Sequence, residues 1–107
     1  GAWSRLALTD LGSRILVRFE VHRSPVRHEW RIKIGHGGGI MGPNFDWIYP
    51  PPMVAGDSGD FVVQLRTPDR FPSGTCGTFA ECPPDLFRAR ATDTQTGQLC
   101  KMYARIG

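Results

Sequence analysis

The stretch from Asp85 to Ile106 constrains the fold more than any other, because it reads as an antiparallel hairpin in a single register. Its ascending half, Phe87-Arg88-Ala89-Arg90-Ala91, alternates apolar and basic residues with the period of two that a half-buried strand requires. Phe87, Ala89 and Ala91 are therefore expected to face inward. The descending half offers two faces, Cys100, Met102, Ala104 and Ile106 on one side and Leu99, Lys101, Tyr103 and Arg105 on the other. Turn length decides between them. A four-residue loop of Thr94, Gln95, Thr96 and Gly97 around a type I turn, with Gly97 taking a positive φ, sets Asp93 opposite Gln98. Pairing then runs Ala91 with Cys100, Ala89 with Met102 and Phe87 with Ala104. A loop one residue shorter would set the alanines against Lys101 and Tyr103, because a one-residue slip exchanges the faces. The outward face then carries Arg88, Arg90, Lys101, Tyr103 and Arg105, with Arg88 across from Tyr103 at cation–π range.

The rest of the chain repeats the strand signal. Leu6 and Leu8 alternate with Arg5 and Ala7 in a short first strand, and Trp3 is expected to cover one end of the core. Ile15, Val17, Phe19 and Val21 alternate with polar residues from Arg14 to His22, which predicts a central strand. A third strand from Glu29 to Ile34 puts Trp30, Ile32 and Ile34 inward and Glu29, Arg31 and Lys33 outward. Between Gly35 and Gly59 the pattern fades. Pro50, Pro51 and Pro52 exclude a central strand there and favour an extended path at a sheet edge, with one or two short edge strands in the segment. Phe61, Val63 and Leu65 mark another strand, followed by a long connection from Thr67 to Pro84. Six or seven short strands, frequent turn signals and no helical periodicity or internal repeat predict an all-β, antiparallel β-sandwich. At 107 residues the chain, residues 1–107, suits a single domain with one core, and no apolar run approaches the length of a membrane span.

This order of strands, with an inward Trp30 on the third and a closing hairpin at the C-terminus, resembles the immunoglobulin-like and fibronectin type III-like superfamily over residues 4–106. The inter-sheet disulfide of antibody domains is absent, since neither the second strand nor the segment from Arg88 to Ala91 holds a cysteine. The turn Thr92-Asp93-Thr94-Gln95-Thr96-Gly97 is similar to hairpin turns of small secreted bacterial proteins of this type. That resemblance implies an immunoglobulin-like fold and carries over no catalytic residue.

Three cysteines in so small a chain favour an oxidising, extracellular compartment. Cys76 and Cys82 are the preferred disulfide, closing a short ring inside the long connection and removing about 2–3 kcal/mol of unfolded-state entropy. Cys100 is then a buried free thiol. The rival pairing joins Cys76 or Cys82 to Cys100.

Two motifs invite a catalytic reading. Gly56-Asp57-Ser58-Gly59 looks like the nucleophile motif of chymotrypsin-like proteases, with His36 and Asp46 upstream in that family's order, but Asp60 replaces the second glycine and all three residues crowd one short segment. A polar turn is expected instead. His36-Gly37-Gly38-Gly39 looks like an esterase oxyanion-hole motif, yet no Gly-x-Ser-x-Gly elbow accompanies it, so a flexible loop is expected. His22, His28 and His36 stand in no metal-ligand spacing and read as lone surface histidines. No cofactor, metal or catalytic set is expected.

The binding candidates are two. If the third strand lies beside the strand from Phe87, then Arg31, Lys33, Arg88, Arg90, Lys101 and Arg105 share one exposed surface with Tyr103, suited to an acidic polymer or protein. Net charge is only +3, which does not call for nucleic acid. Separately, Phe45, Trp47 and Tyr49 ahead of the three prolines make an aromatic loop suited to recognition or to plugging one end of the sandwich. The expectation is a secreted, non-catalytic interaction or structural module. A small protease inhibitor presenting the stapled 67–84 loop is the alternative.

Overall fold

A computed structural model of the chain describes residues 1–38, 45–68 and 85–106. These form eight strands: β1 (Trp3–Asp10), β2 (Arg14–His22), β3 (Glu29–Gly38), β4 (Asp46–Ile48), β5 (Met53–Val54), β6 (Phe61–Pro68), β7 (Asp85–Asp93) and β8 (Leu99–Ile106). They pair antiparallel in two sheets, β1-β2-β6 and β4-β3-β7-β8, with β5 also on the edge of β3. The two layers make an open, all-β sandwich. The count exceeds the six or seven expected because β4 and β5 are three and two residues long, too short for periodicity to register.

The hairpin register is the one the alternation requires. Phe87 pairs with Ala104, Ala89 with Met102 and Ala91 with Cys100. Gly97 adopts φ +77° and its N–H donates to the Asp93 carbonyl. The core lies between the inner faces: Ile15, Val17, Phe19, Val21, Phe61 and Val63 from one sheet meet Trp30, Ile32, Ile34, Phe87, Ala89, Ala91 and Cys100 from the other. Cys100 is a free thiol in this layer, its ionisation pushed up by burial and eased only partly by the Ser4 hydroxyl of β1. The Cys76–Cys82 pairing lies outside the described residues, as does all of the 67–84 loop but Thr67 and Pro68.

Trp30 is fully buried, and its indole N–H donates to Ser24 Oγ at 2.6 Å. The Ser24 amide in turn donates to the Gly59 carbonyl. Gly59 adopts φ +77°, and a Cβ there would stand 2.4 Å from the Ser24 carbonyl oxygen, so the turn before β6 admits only glycine.

Three expectations are corrected. Trp3 does not cap the core: it pairs with His22 on the outer side of β1-β2 and stacks on its imidazole at 4.3 Å. The motif from His36 is not a flexible loop up to Gly38, because β3 runs four residues beyond Ile34 and pairs His36 with Phe87 and Gly38 with Asp85. Nor is His36 a surface residue. It is buried at 4% exposure, its Nε2 lies 2.6 Å from Asp85 Oδ1, and its ring stacks on Phe87. Burial became tolerable because a carboxylate from the paired strand satisfies the ring nitrogen.

Candidate functional site

Pairing fixes which side chains share the outer face of the larger sheet, since residues directly opposite on adjacent strands point the same way. One row runs Trp47, Gly35, Arg88, Tyr103 across β4, β3, β7 and β8. The next runs Lys33, Arg90, Lys101, and a third Arg31, Thr92, Leu99. Gly37, Leu86 and Arg105 complete the face. All six expected cations therefore stand on one surface with Tyr103. The outward positions of β7 and β8, and of β3 from Arg31 onward, contain no acidic residue. Among the described residues none of the six enters an ion pair.

The aromatic loop is part of the same surface. Phe45 and Trp47 pack against Gly35, their rings tilted 34° to each other, and a Cβ there would come within 3.0 Å of the Trp47 ring and 3.1 Å of Phe45. Lys33 Nζ sits 4.2 Å from the Trp47 ring centre and Arg90 Cζ 5.7 Å from it. Arg88 Cζ is 4.7 Å from Phe45 and 4.8 Å from Tyr103, so one guanidinium serves two rings. Each such contact is worth about 0.5–1 kcal/mol where exposed and more where water is excluded. Burial follows the rings: Lys33, Arg88 and Arg90 are half-buried, whereas Arg31, Lys101 and Arg105 are exposed. Arg88 Nε is buried with no hydrogen-bond partner.

Beyond β4 the edge is broken. Ile34 pairs with Ile48 and Trp30 with Met53, so residues 49–52 stand opposite residues 31–33 with one residue in excess. This bulge arises because Pro50, Pro51 and Pro52 have no N–H to give a ladder. It turns Tyr49 outward at 71% exposure, over a cleft of about 370 Å³ lined by Arg31, Lys33, Tyr49, Arg90, Thr92 and Leu99. Tyr49 thus neither plugs the sandwich nor packs in its core.

The row Lys33, Arg90, Lys101 sets like charges on neighbouring strands about 4.8 Å apart at the backbone. Unit charges 5 Å apart repel by about 1 kcal/mol in water and about 3 kcal/mol at an effective permittivity near 20. The Trp47 ring, between Lys33 and Arg90, offsets part of this. A multivalent anion would remove the rest.

Catalytic groups do not gather in this way. His36 faces Asp46 across β3 and β4, but Ser58 belongs to the turn held by Ser24 beside Trp30, six residues back along β3 and about 20 Å away. His28 Nδ1 contacts Asp93 Oδ2 at 2.8 Å at the hairpin end. Burial opposes the charge of Asp93, but hydrogen bonds from His28 and from the Gln95 and Thr96 amides outweigh it and hold the carboxyl at about 2. Neither histidine–aspartate pair was legible in the sequence, since each joins residues 49 or 65 positions apart. The union of the two binding candidates had a signal: Gly35 outward on β3, and Phe45, Trp47 and Tyr49 at a spacing of two.

No protein-family model matches the chain, and no curated protein matches it. Among solved structures it is similar to Spo0M, a sporulation control protein from Bacillus subtilis, with a TM-score of 0.55 at 10% identity over 98% of this chain. The chain spans about half of Spo0M, 48% of its length. At that identity the likeness concerns the fold alone.

Proposed function

We propose that the chain is a non-catalytic binding module that holds an acidic polymer or protein segment against the outer face of β4-β3-β7-β8. One observation carries this reading: Lys33, Arg90 and Lys101 stand in a row across three strands with no carboxylate partner among the described residues, while Trp47 seats Lys33 and Arg90 in place. A face meant only for solubility intersperses the two signs of charge. Here the outward positions of β7 and β8, and of β3 from Arg31 onward, hold cations with no carboxylate among them, Glu29 standing at the far end of β3, and rings already restrict Lys33, Arg88 and Arg90, which would otherwise lose rotamer freedom on binding.

We also assign the sandwich to the immunoglobulin-like type. The order β1-β2-β6 against β3-β7-β8 supports it, as it matches the A-B-E and C-F-G sheets of that fold, and Trp30 occupies the position of the buried tryptophan on strand C. The extracellular assignment rests on the cysteine content of the sequence. Retention on an immobilised polyanion tests the surface. Retention should fall sharply for Arg88→Glu with Arg90→Glu, given a folded variant by circular dichroism. Retention insensitive to that double change removes this face from consideration.

A further inference from the structure

We infer that the acidic partner is an anionic polysaccharide, lying across the strands along Lys33, Arg90 and Lys101, with Tyr49 stacking on a sugar ring at the β3 edge of the row. The inference rests on the anion-binding reading and names its ligand.

Spacing is the first argument. At the backbone the row advances by one strand separation, about 4.8 Å per residue, with the heads of Lys33 and Arg90 both resting against the Trp47 ring. That step is close to the length of one sugar residue in a glycan carrying a carboxylate or sulfate on each unit. An extended acidic peptide places same-side carboxylates about 6.7 Å apart, out of phase with the row after two steps.

The free ring is the second. Phe45, Trp47 and Tyr103 already carry cations on their faces, which leaves Tyr49, 71% exposed at the β3 edge, as the free ring of this face among the described residues. Single-stranded nucleic acid stacks successive bases on neighbouring rings, and one free ring offers no such series. A sugar chain needs only an occasional platform, because its C–H faces are apolar while its rim is hydroxyl.

The cleft is the third. Tyr49 and Leu99 supply apolar walls, the Thr92 hydroxyl both donates and accepts, and Arg31, Lys33 and Arg90 converge on the same space. Apolar wall, hydroxyl and cation together describe one acidic sugar better than a bare carboxylate.

The experiment measures binding of the intact chain to polygalacturonate and dextran sulfate, with poly-glutamate and oligo-dT of matched charge as comparators, by affinity gel electrophoresis. One of the two glycans should be bound at least about tenfold more tightly than either comparator. Tyr49→Ala should weaken glycan binding about tenfold while leaving poly-glutamate binding unchanged. Tyr49 is exposed and no cation among the described residues lies on its ring, so the variant should keep its unfolding temperature. Lys33→Glu with Arg90→Glu should abolish binding to all four probes. Glycan binding that survives loss of Tyr49, or a preference for poly-glutamate or oligo-dT, overturns the polysaccharide and leaves the anion-binding face standing. Failure to bind any polyanion, or indifference to the charge reversal, overturns both.

Discussion

Gly35→Ala tests whether the aromatic strip is seated on the sheet as described. The added methyl would lie 3.0 Å from Trp47 Cζ3 and 3.1 Å from both Trp47 Cε3 and Phe45 Cδ1, inside ordinary contact distance. The backbone needs no glycine here, since Gly35 is not among the glycines of positive φ. Replacing glycine by alanine in a strand should by itself stabilise by about 0.5–1 kcal/mol. Against this, lifting both rings weakens three contacts, Lys33 and Arg90 on Trp47 and Arg88 on Phe45. At about 0.5–1 kcal/mol each, those amount to roughly 1.5–3 kcal/mol. The variant should therefore be less stable by about 1–2 kcal/mol, a fall of about 4–8 °C in the unfolding temperature of a chain this size. Urea denaturation followed by circular dichroism reads the difference. The control is the same change in a Phe45→Ala, Trp47→Ala background, where the obstruction is gone and Gly35→Ala should stabilise. A cycle with no coupling, or a single variant more stable than the parent, refutes the seating of the rings and with it the union of the two binding candidates.

Two further outcomes follow from the charges. Asp93 has its folded carboxyl at about 2 against an ordinary 3.8, so it favours the fold above pH 3.8 and that contribution is lost as pH falls through about 2; Asp93→Asn should flatten the stability profile in this window, checked by urea titrations at stepped pH. Because the cations of the outer face lack carboxylate partners, raising ionic strength from about 0.01 to 0.15 M, which shortens the screening length from about 30 to 8 Å, should stabilise the free protein. Lys101→Gln should reduce that gain, as read by thermal unfolding at each salt concentration.

How much was legible depended on whether a feature is local. The inward set Ile15, Val17, Phe19 and Val21 and the hairpin register follow from parity within nine residues or around one turn, and both appear in the structure. The extension of β3 through His36-Gly37-Gly38 did not, because glycines lower strand propensity and their pairing with Leu86 and Asp85 is supplied by a strand some 50 residues away. Phe45 and Trp47 were read as a loop for the same reason. Their place on the sheet depends on the absence of a side chain at Gly35, so their alternation marks a strand only once β3 is known to run on through Gly35. His36 looked like a surface residue until a long-range partner, Asp85, satisfied its ring nitrogen in the core, and the partly exposed His28 does the same service for the buried Asp93.

The distribution of charge across the larger sheet carries the argument for a binding face beyond mere basicity. Asp85 and Asp93, at the two ends of β7, are buried and hydrogen-bonded to His36 and His28. Between those ends Arg88 and Arg90 point outward and pair with no carboxylate, although alternation along the same strand brings each within a few residues of one. β7 thus commits its two carboxylates to imidazoles inside and leaves its two guanidinium groups to rings outside. A ring holds a cation in place without neutralising it, whereas a carboxylate would do both. The half-buried Lys33, Arg88 and Arg90 are consequently restrained in rotamer yet still carry their full charge toward solvent. Ordering a long cationic side chain at an interface costs about 0.5–1.5 kcal/mol, and here folding has already met that cost for three of them. An incoming polyanion then meets a surface whose charge is present and whose geometry is set, which is the condition under which a modest net charge can still give selective binding.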